Sequence, residues 1–155
     1  MKKILEDLLN EEKELQFDSF NELDAWKLGT LLVNKALSDK LPVTIDITRS
    51  GKQLFHVSLP GTTVDNDIWI KRKINLVNRF GHSSFYLGQF LKSINKTIEE
   101  AFLVSESDYA PHGGSFPIII GNSGIIGTIT VSGLQQEEDH KLVVSTIRSY
   151  INKES

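Results

Sequence analysis

The chain reads as an α+β protein in which helices pack against a central antiparallel sheet. Three observations carry that reading. From Val43 to Leu59 apolar and polar residues alternate on either side of a Ser50-Gly51 turn, the two-residue period of a hairpin with one buried face. Phe116 to Ile120 is an unbroken apolar run followed by a turn and a second run, Ile125 to Ser132. Between these segments lie stretches with apolar residues at helical spacing, so helices and hairpins are mixed along one chain.

Lys2 to Glu14 is a charged amphipathic helix with Ile4, Leu8 and Leu9 on one face. Glu14 to Phe20 is short, with strand character around Leu15 and Phe17, and Asp18 or Ser19 can cap a second helix. That helix runs roughly from Asn21 to Asp39, with Trp26, Val33 and Leu37 on one stripe and Leu28, Leu31 and Leu32 beside it. After the hairpin, Pro60-Gly61-Thr62-Thr63 breaks the chain before a helix over about Asp65 to Phe80. Gly81 closes that helix, and Ser83 or Ser84 caps another that carries Leu87, Leu91 and Ile94. Asn95 to Val104 has no clear period. In the second hairpin Gly127 and Ser132 are small enough for a neighbouring backbone or helix to approach. Glu137 to Tyr150 forms the last helix, with Val143, Ile147 and Ile151 inward. The 155 residues, 1–155, form a single domain of a size that can bury its own core.

Composition narrows the function classes. With 39% hydrophobic and 24% charged residues, the chain has the make-up of a soluble globular protein. Zero cysteines excludes disulfides, thiolate nucleophiles and cysteine-ligated metals, and fits the cytoplasm. A net charge of -3 argues against a nucleic-acid partner. No window approaches the ~18 apolar residues of a membrane span, and acidic residues interrupt the N-terminal apolar run before it can serve as a signal peptide.

The candidate site centres on His112-Gly113-Gly114-Ser115. These residues offer backbone N–H groups, a hydroxyl and an imidazole in four positions, enough for an anion-binding nest or a ligand contact. A sharp turn into a buried strand, with His112 merely exposed, accounts for the same glycines, and glycine pairs at turns are common. Upstream, Trp69-Ile70-Lys71-Arg72-Lys73 opens a basic helix in which Ile70, Ile74 and Val77 take the buried side. Arg72 and Arg79 lie two turns apart on nearly one face and suit a carboxylate or phosphate, on a ligand or on a partner subunit. A solvated helix face is the alternative, and Trp69 and Phe80 read as core. His56, His82 and His140 show no compact metal spacing. No acid–base carboxylate pair, nucleophile elbow or nucleotide loop is present in the sequence.

Taken in order, Trp69-Ile-Lys-Arg-Lys, Arg79-Phe-Gly, Ala110-Pro-His-Gly-Gly-Ser-Phe-Pro-Ile, Gly124-Ile-Ile-Gly-Thr-Ile-Thr-Val-Ser-Gly-Leu and Glu138-Asp-His resemble the GlcG/HbpS-like superfamily. The resemblance covers nearly the whole chain and is closest to small stand-alone proteins that carry a haem-degrading-domain label. It implies a profilin-like sheet and a symmetric homo-oligomer, at least a dimer. It also makes haem a candidate cofactor, with His112 or His82 able to supply an axial ligand. Two functions are open: a binding or assembly protein without catalysis, taking a small anionic ligand or a protein partner, and a haem-binding or haem-degrading protein. The expected ligand set is His112, Gly113, Gly114 and Ser115 with Arg72 or Arg79 as charge partner.

Overall fold

A computed structural model describes residues 1–154. Its elements are α1 (Lys2–Glu14), α2 (Glu22–Ser38), β1 (Thr44–Arg49), β2 (Lys52–Ser58), α3 (Val64–Phe80), α4 (Ser84–Ser93), α5 (Ile98–Phe102), β3 (Ser115–Ile120), β4 (Gly124–Ser132) and α6 (Gln136–Glu154). The strands form one antiparallel sheet in the order β2-β1-β4-β3, so the two hairpins meet through β1 and β4. Gly127 sits at that seam. A Cβ there would lie 2.2 Å from the Thr48 carbonyl oxygen, the close backbone approach its small size predicts.

The two faces of the sheet differ in chemistry. Ile45, Ile47, Phe116, Ile118, Ile129 and Val131 are fully buried and share the main core with residues of α2 and α6. The alternate residues of these strands form the opposite face, against which α3 packs. That face is polar: Thr44, Asp46, Ser115, Thr128, Thr130 and Ser132 are all buried. Ser115 and Thr130 share a hydroxyl hydrogen bond at 2.9 Å and Thr44 bonds to Ser58 on β2 at 3.1 Å, whereas the buried Thr128 hydroxyl has no partner among the described residues. A separate apolar cluster of Leu76, Leu87, Leu91 and Ile98 joins α3, α4 and α5.

Several local expectations are corrected. Asn21, rather than Asp18 or Ser19, caps α2, with its side chain accepting from the Asp24 N–H at 3.0 Å and Asp24 returning the bond. Phe17 and Phe20 are both buried while Asp18 and Ser19 between them are exposed, so the chain is anchored at Phe20 before the helix starts. The strand character near Phe17 amounts to a single parallel bridge to Ile120. On α2 the inner stripe is Ala25, Leu28, Gly29, Leu32 and Ala36, whereas Trp26 and Leu37 are 64% and 52% exposed. Within that stripe Gly29 must be small, because the Phe55 ring lies 2.6 Å from where a Cβ on it would be. Ile94 is exposed beyond the end of α4, and Thr97 caps the unforeseen α5.

Candidate functional site

Asp65, Asn66, Trp69 and Lys73 recur along α3 at spacings that bring them to one side of the helix. Facing them are His112 and the segment from Ser132 to Asp139 that links β4 to α6. Together these groups line an open cavity of about 540 Å³, within the size range of small-molecule sites.

Lys73 forms the floor. Its side chain is 3% exposed, and its ammonium donates to the Val131 carbonyl at 3.0 Å and to Asp139 Oδ2 at 3.2 Å. Asp139 is equally buried and accepts the Leu134 N–H through Oδ1 at 2.9 Å. Burial lowers the Lys73 pKa, with the Asp139 charge opposing; burial raises the Asp139 pKa, with Lys73 opposing. The pair ties α3, the end of β4 and the start of α6 into one unit.

The 111–114 loop is fitted onto this floor. Gly113 donates its N–H to Gln136 Oε1 at 3.1 Å. Gly114 has φ +137°, and a Cβ there would meet the Val131 oxygen at 2.3 Å and Lys73 Nζ at 2.6 Å, so only glycine suits the position. Ser115 is buried, donating its N–H to Ser84 Oγ at 3.0 Å. Hence Gly113, Gly114 and Ser115, expected in the ligand set, are not among the residues that line the cavity, and the N–H groups of Gly113 and Ser115 already have acceptors.

His112 reaches the cavity lining and meets Trp69 edge-on at 5.4 Å between centroids. Burial lowers its pKa, assisted by the positive charges of Lys73 and Arg72, which favours the neutral imidazole. Trp69, expected in the core, is only partly buried and lines the cavity. The Arg72 guanidinium lies 4.4 Å from the indole centroid and also donates from Nε to the Glu106 carbonyl at 2.9 Å. Arg79 rests instead near the Phe80 and Tyr109 rings, 5.6 and 5.8 Å from their centroids. With Asn75 donating to the Asp108 carbonyl, both arginines hold the 106–109 segment against α3 rather than form a free basic face. Neither belongs to the cavity lining.

The remaining histidines lie elsewhere. His56 is set between two carboxylates, Nδ1 2.8 Å from Asp46 Oδ2 and Nε2 3.0 Å from Asp67 Oδ1. A bulge in the hairpin pairs Ile47 with Phe55 but Thr48 with Gln53, and this brings Gln53 to the same Asp46 oxygen at 2.8 Å. His82 and His140 hold α1: His82 Nδ1 lies 2.8 Å from Glu12 Oε1, and His140 Nε2 lies 2.8 Å from Glu11 Oε1. A second hollow of about 670 Å³ beside His140 is rimmed by the ion pairs Lys35–Asp39 and Lys141–Glu138.

Lys73 and Asp139, along with Asn66, Ser132 and Gln135, are members of the site that sequence reasoning missed. The available signal was Lys73 beside Trp69 on an amphipathic helix, at a position the apolar neighbours Ile70 and Val77 place inward.

Known proteins bear on this arrangement. A UPF0303 protein of Streptomyces coelicolor is 45% identical over 147 residues, covering 95% of this chain and 93% of its own. The Ybr137w protein, solved as a crystal structure, is 40% identical with a TM-score of 0.90, covering 97% of this chain and 88% of that one. PduOC, solved as a complex with haem, shares the fold at 18% identity and a TM-score of 0.67, over 86% of this chain and 94% of that one. No helix among the described residues is long and apolar enough to cross a membrane. A family described as "Haem degrading protein HbpS-like" matches residues 20–148, and the chain belongs to that HbpS-like family.

Proposed function

We propose that this chain is a binding protein for a small polar ligand, held in the cavity between α3, the 111–114 loop and the start of α6. The observation that carries the reading is the convergence of Trp69, His112 and the buried Lys73–Asp139 pair on one open cleft. Three carboxylates, Asp65, Glu137 and Asp139, line it against one ammonium, Lys73. That balance favours a neutral or donor-rich ligand over the compact anion expected from sequence, and the occupied N–H groups of Gly113 and Ser115 point the same way. Trp69 offers a flat apolar wall, and Asn66, Ser132 and Gln135 offer hydrogen-bonding groups. A homo-oligomer, at least a dimer, completes the proposal. It is supported by Leu23, Trp26, Val64 and Ile68, all more than half exposed. Light scattering that returns the mass of a single chain at micromolar concentration removes this part.

Haem binding is the second reading, favoured by the family description and by the haem complex of the PduOC neighbour. His112 fits the iron, since its neutral imidazole faces the cavity. The lining fits the porphyrin less well: Trp69 and Leu134 are its large apolar groups, whereas a haem ring needs a broad apolar slot. Hemin titration separates the two. A saturable Soret shift that disappears in His112→Ala supports haem; no saturable shift leaves the small polar ligand.

A further inference from the structure

We propose that Lys73 captures a small neutral aldehyde or ketone covalently, as an imine formed at the floor of the cavity. The inference rests on reading that cavity as a small-molecule site and names the class of ligand it takes. An ammonium normally stays in water, and a lysine side chain that is 3% exposed requires compensation. Here two of its three N–H groups are met, by the Val131 carbonyl and Asp139 Oδ2, and the same side chain forms part of the cavity wall. Asp139 is fixed by the Leu134 N–H at Oδ1 and the Gly133 N–H at Oδ2, 2.9 and 3.4 Å away, and Oδ2 faces Nζ as the proton acceptor. Burial lowers the Lys73 pKa and raises that of Asp139, so both shifts favour moving the proton from nitrogen to oxygen. Desolvated lysines of this kind are the ones that act as amine nucleophiles.

The chemistry balances without an external oxidant or reductant. Asp139 takes a proton from the Lys73 ammonium, and the freed nitrogen lone pair forms a C–N bond to the carbonyl carbon. The carbonyl π electrons move to oxygen, which takes the proton back from Asp139 and becomes the carbinolamine hydroxyl. Nitrogen then gives a second proton to Asp139, which delivers it to that hydroxyl as the C–O bond breaks and C=N forms. One water leaves, and Asp139 ends as it began, ionised. Asp65 and Glu137 at the cavity wall disfavour carbonyl compounds that carry carboxylate or phosphate, so the class is neutral.

The test treats the intact chain with benzaldehyde and cyanoborohydride at near-neutral pH, then maps modified lysines by mass spectrometry. Lys73 is expected to form the reduced adduct several-fold faster than the exposed Lys71, because burial favours its free amine. Modification in order of exposure, with Lys73 untouched, overturns the imine. Trp69 fluorescence, read in a Trp26→Phe background, distinguishes the two layers. Saturable quenching by benzaldehyde without a Lys73 adduct refutes covalent capture but keeps the cavity as a site. Absence of both quenching and adduct refutes both.

Discussion

Asp139→Ala is the most informative perturbation of stability. The substitution leaves the Lys73 ammonium buried with only the Val131 carbonyl, and it frees the Leu134 N–H from its acceptor. An uncompensated buried charge costs about 3–5 kcal/mol, and an orphaned buried donor adds about 1–3 kcal/mol where water cannot reach it. Lys73 can lose its proton instead, and its burial-lowered pKa makes that escape easier, so the lower end, about 3 kcal/mol, is the expected loss. For a chain of this length that corresponds to a fall in Tm of roughly 10 °C. Urea unfolding of Asp139→Ala, Lys73→Met and the double variant Lys73→Met/Asp139→Leu gives the coupling. Each single change is expected to destabilise strongly, while the double change, which replaces both charges by apolar groups, recovers much of the loss. Single-variant losses below about 1 kcal/mol refute the reasoning, because they place the pair in water-like surroundings.

Two further predictions concern other parts of the fold. The Glu12 hydrogen bond raises the His82 pKa, so this contact contributes fully below the ordinary histidine value and is lost as pH rises through the higher folded value. Unfolding midpoints measured from slightly acidic to alkaline pH are therefore expected to fall in the wild type, and Glu12→Gln is expected to flatten that fall. At the seam of the two hairpins, Gly127→Ala forces a methyl group to within 2.2 Å of the Thr48 oxygen and 2.9 Å of the Arg49 Cα. The β1–β4 pairing must open to admit it, at a cost of about 2 kcal/mol in denaturant unfolding.

What was legible in the sequence was chiefly local. The hairpin from β1 to β2 announces itself by strict alternation, and Gly127 announces a close backbone approach because its strand is otherwise apolar and β-branched. The site was only half legible. His112 stands out beside two glycines, and it does reach the cavity. Lys73 does not stand out: in Lys71-Arg72-Lys73 it reads as one more surface cation. Its acceptors lie 58 and 66 positions further along the chain, so only the closed fold reveals them. Arg72 and Arg79 share a face as their spacing predicts, yet carbonyls and rings of the 106–109 segment occupy them. Trp26 shows the limit of periodicity, since its stripe with Leu37 faces outward while the neighbouring stripe of Leu28 and Leu32, with Ala25, Gly29 and Ala36, takes the inner face of α2.

The central claim, that the cavity beside Trp69 and His112 is the binding site, is tested most directly by amide chemical-shift mapping with a set of small neutral and charged polar compounds. Binders are expected to move the signals of Asn66, Trp69, His112 and Gln136 together, with neutral compounds ahead of carboxylates and phosphates. Shifts that gather instead around the second hollow, at Leu41, His140 and Val144, or a set led by compact anions, would contradict it.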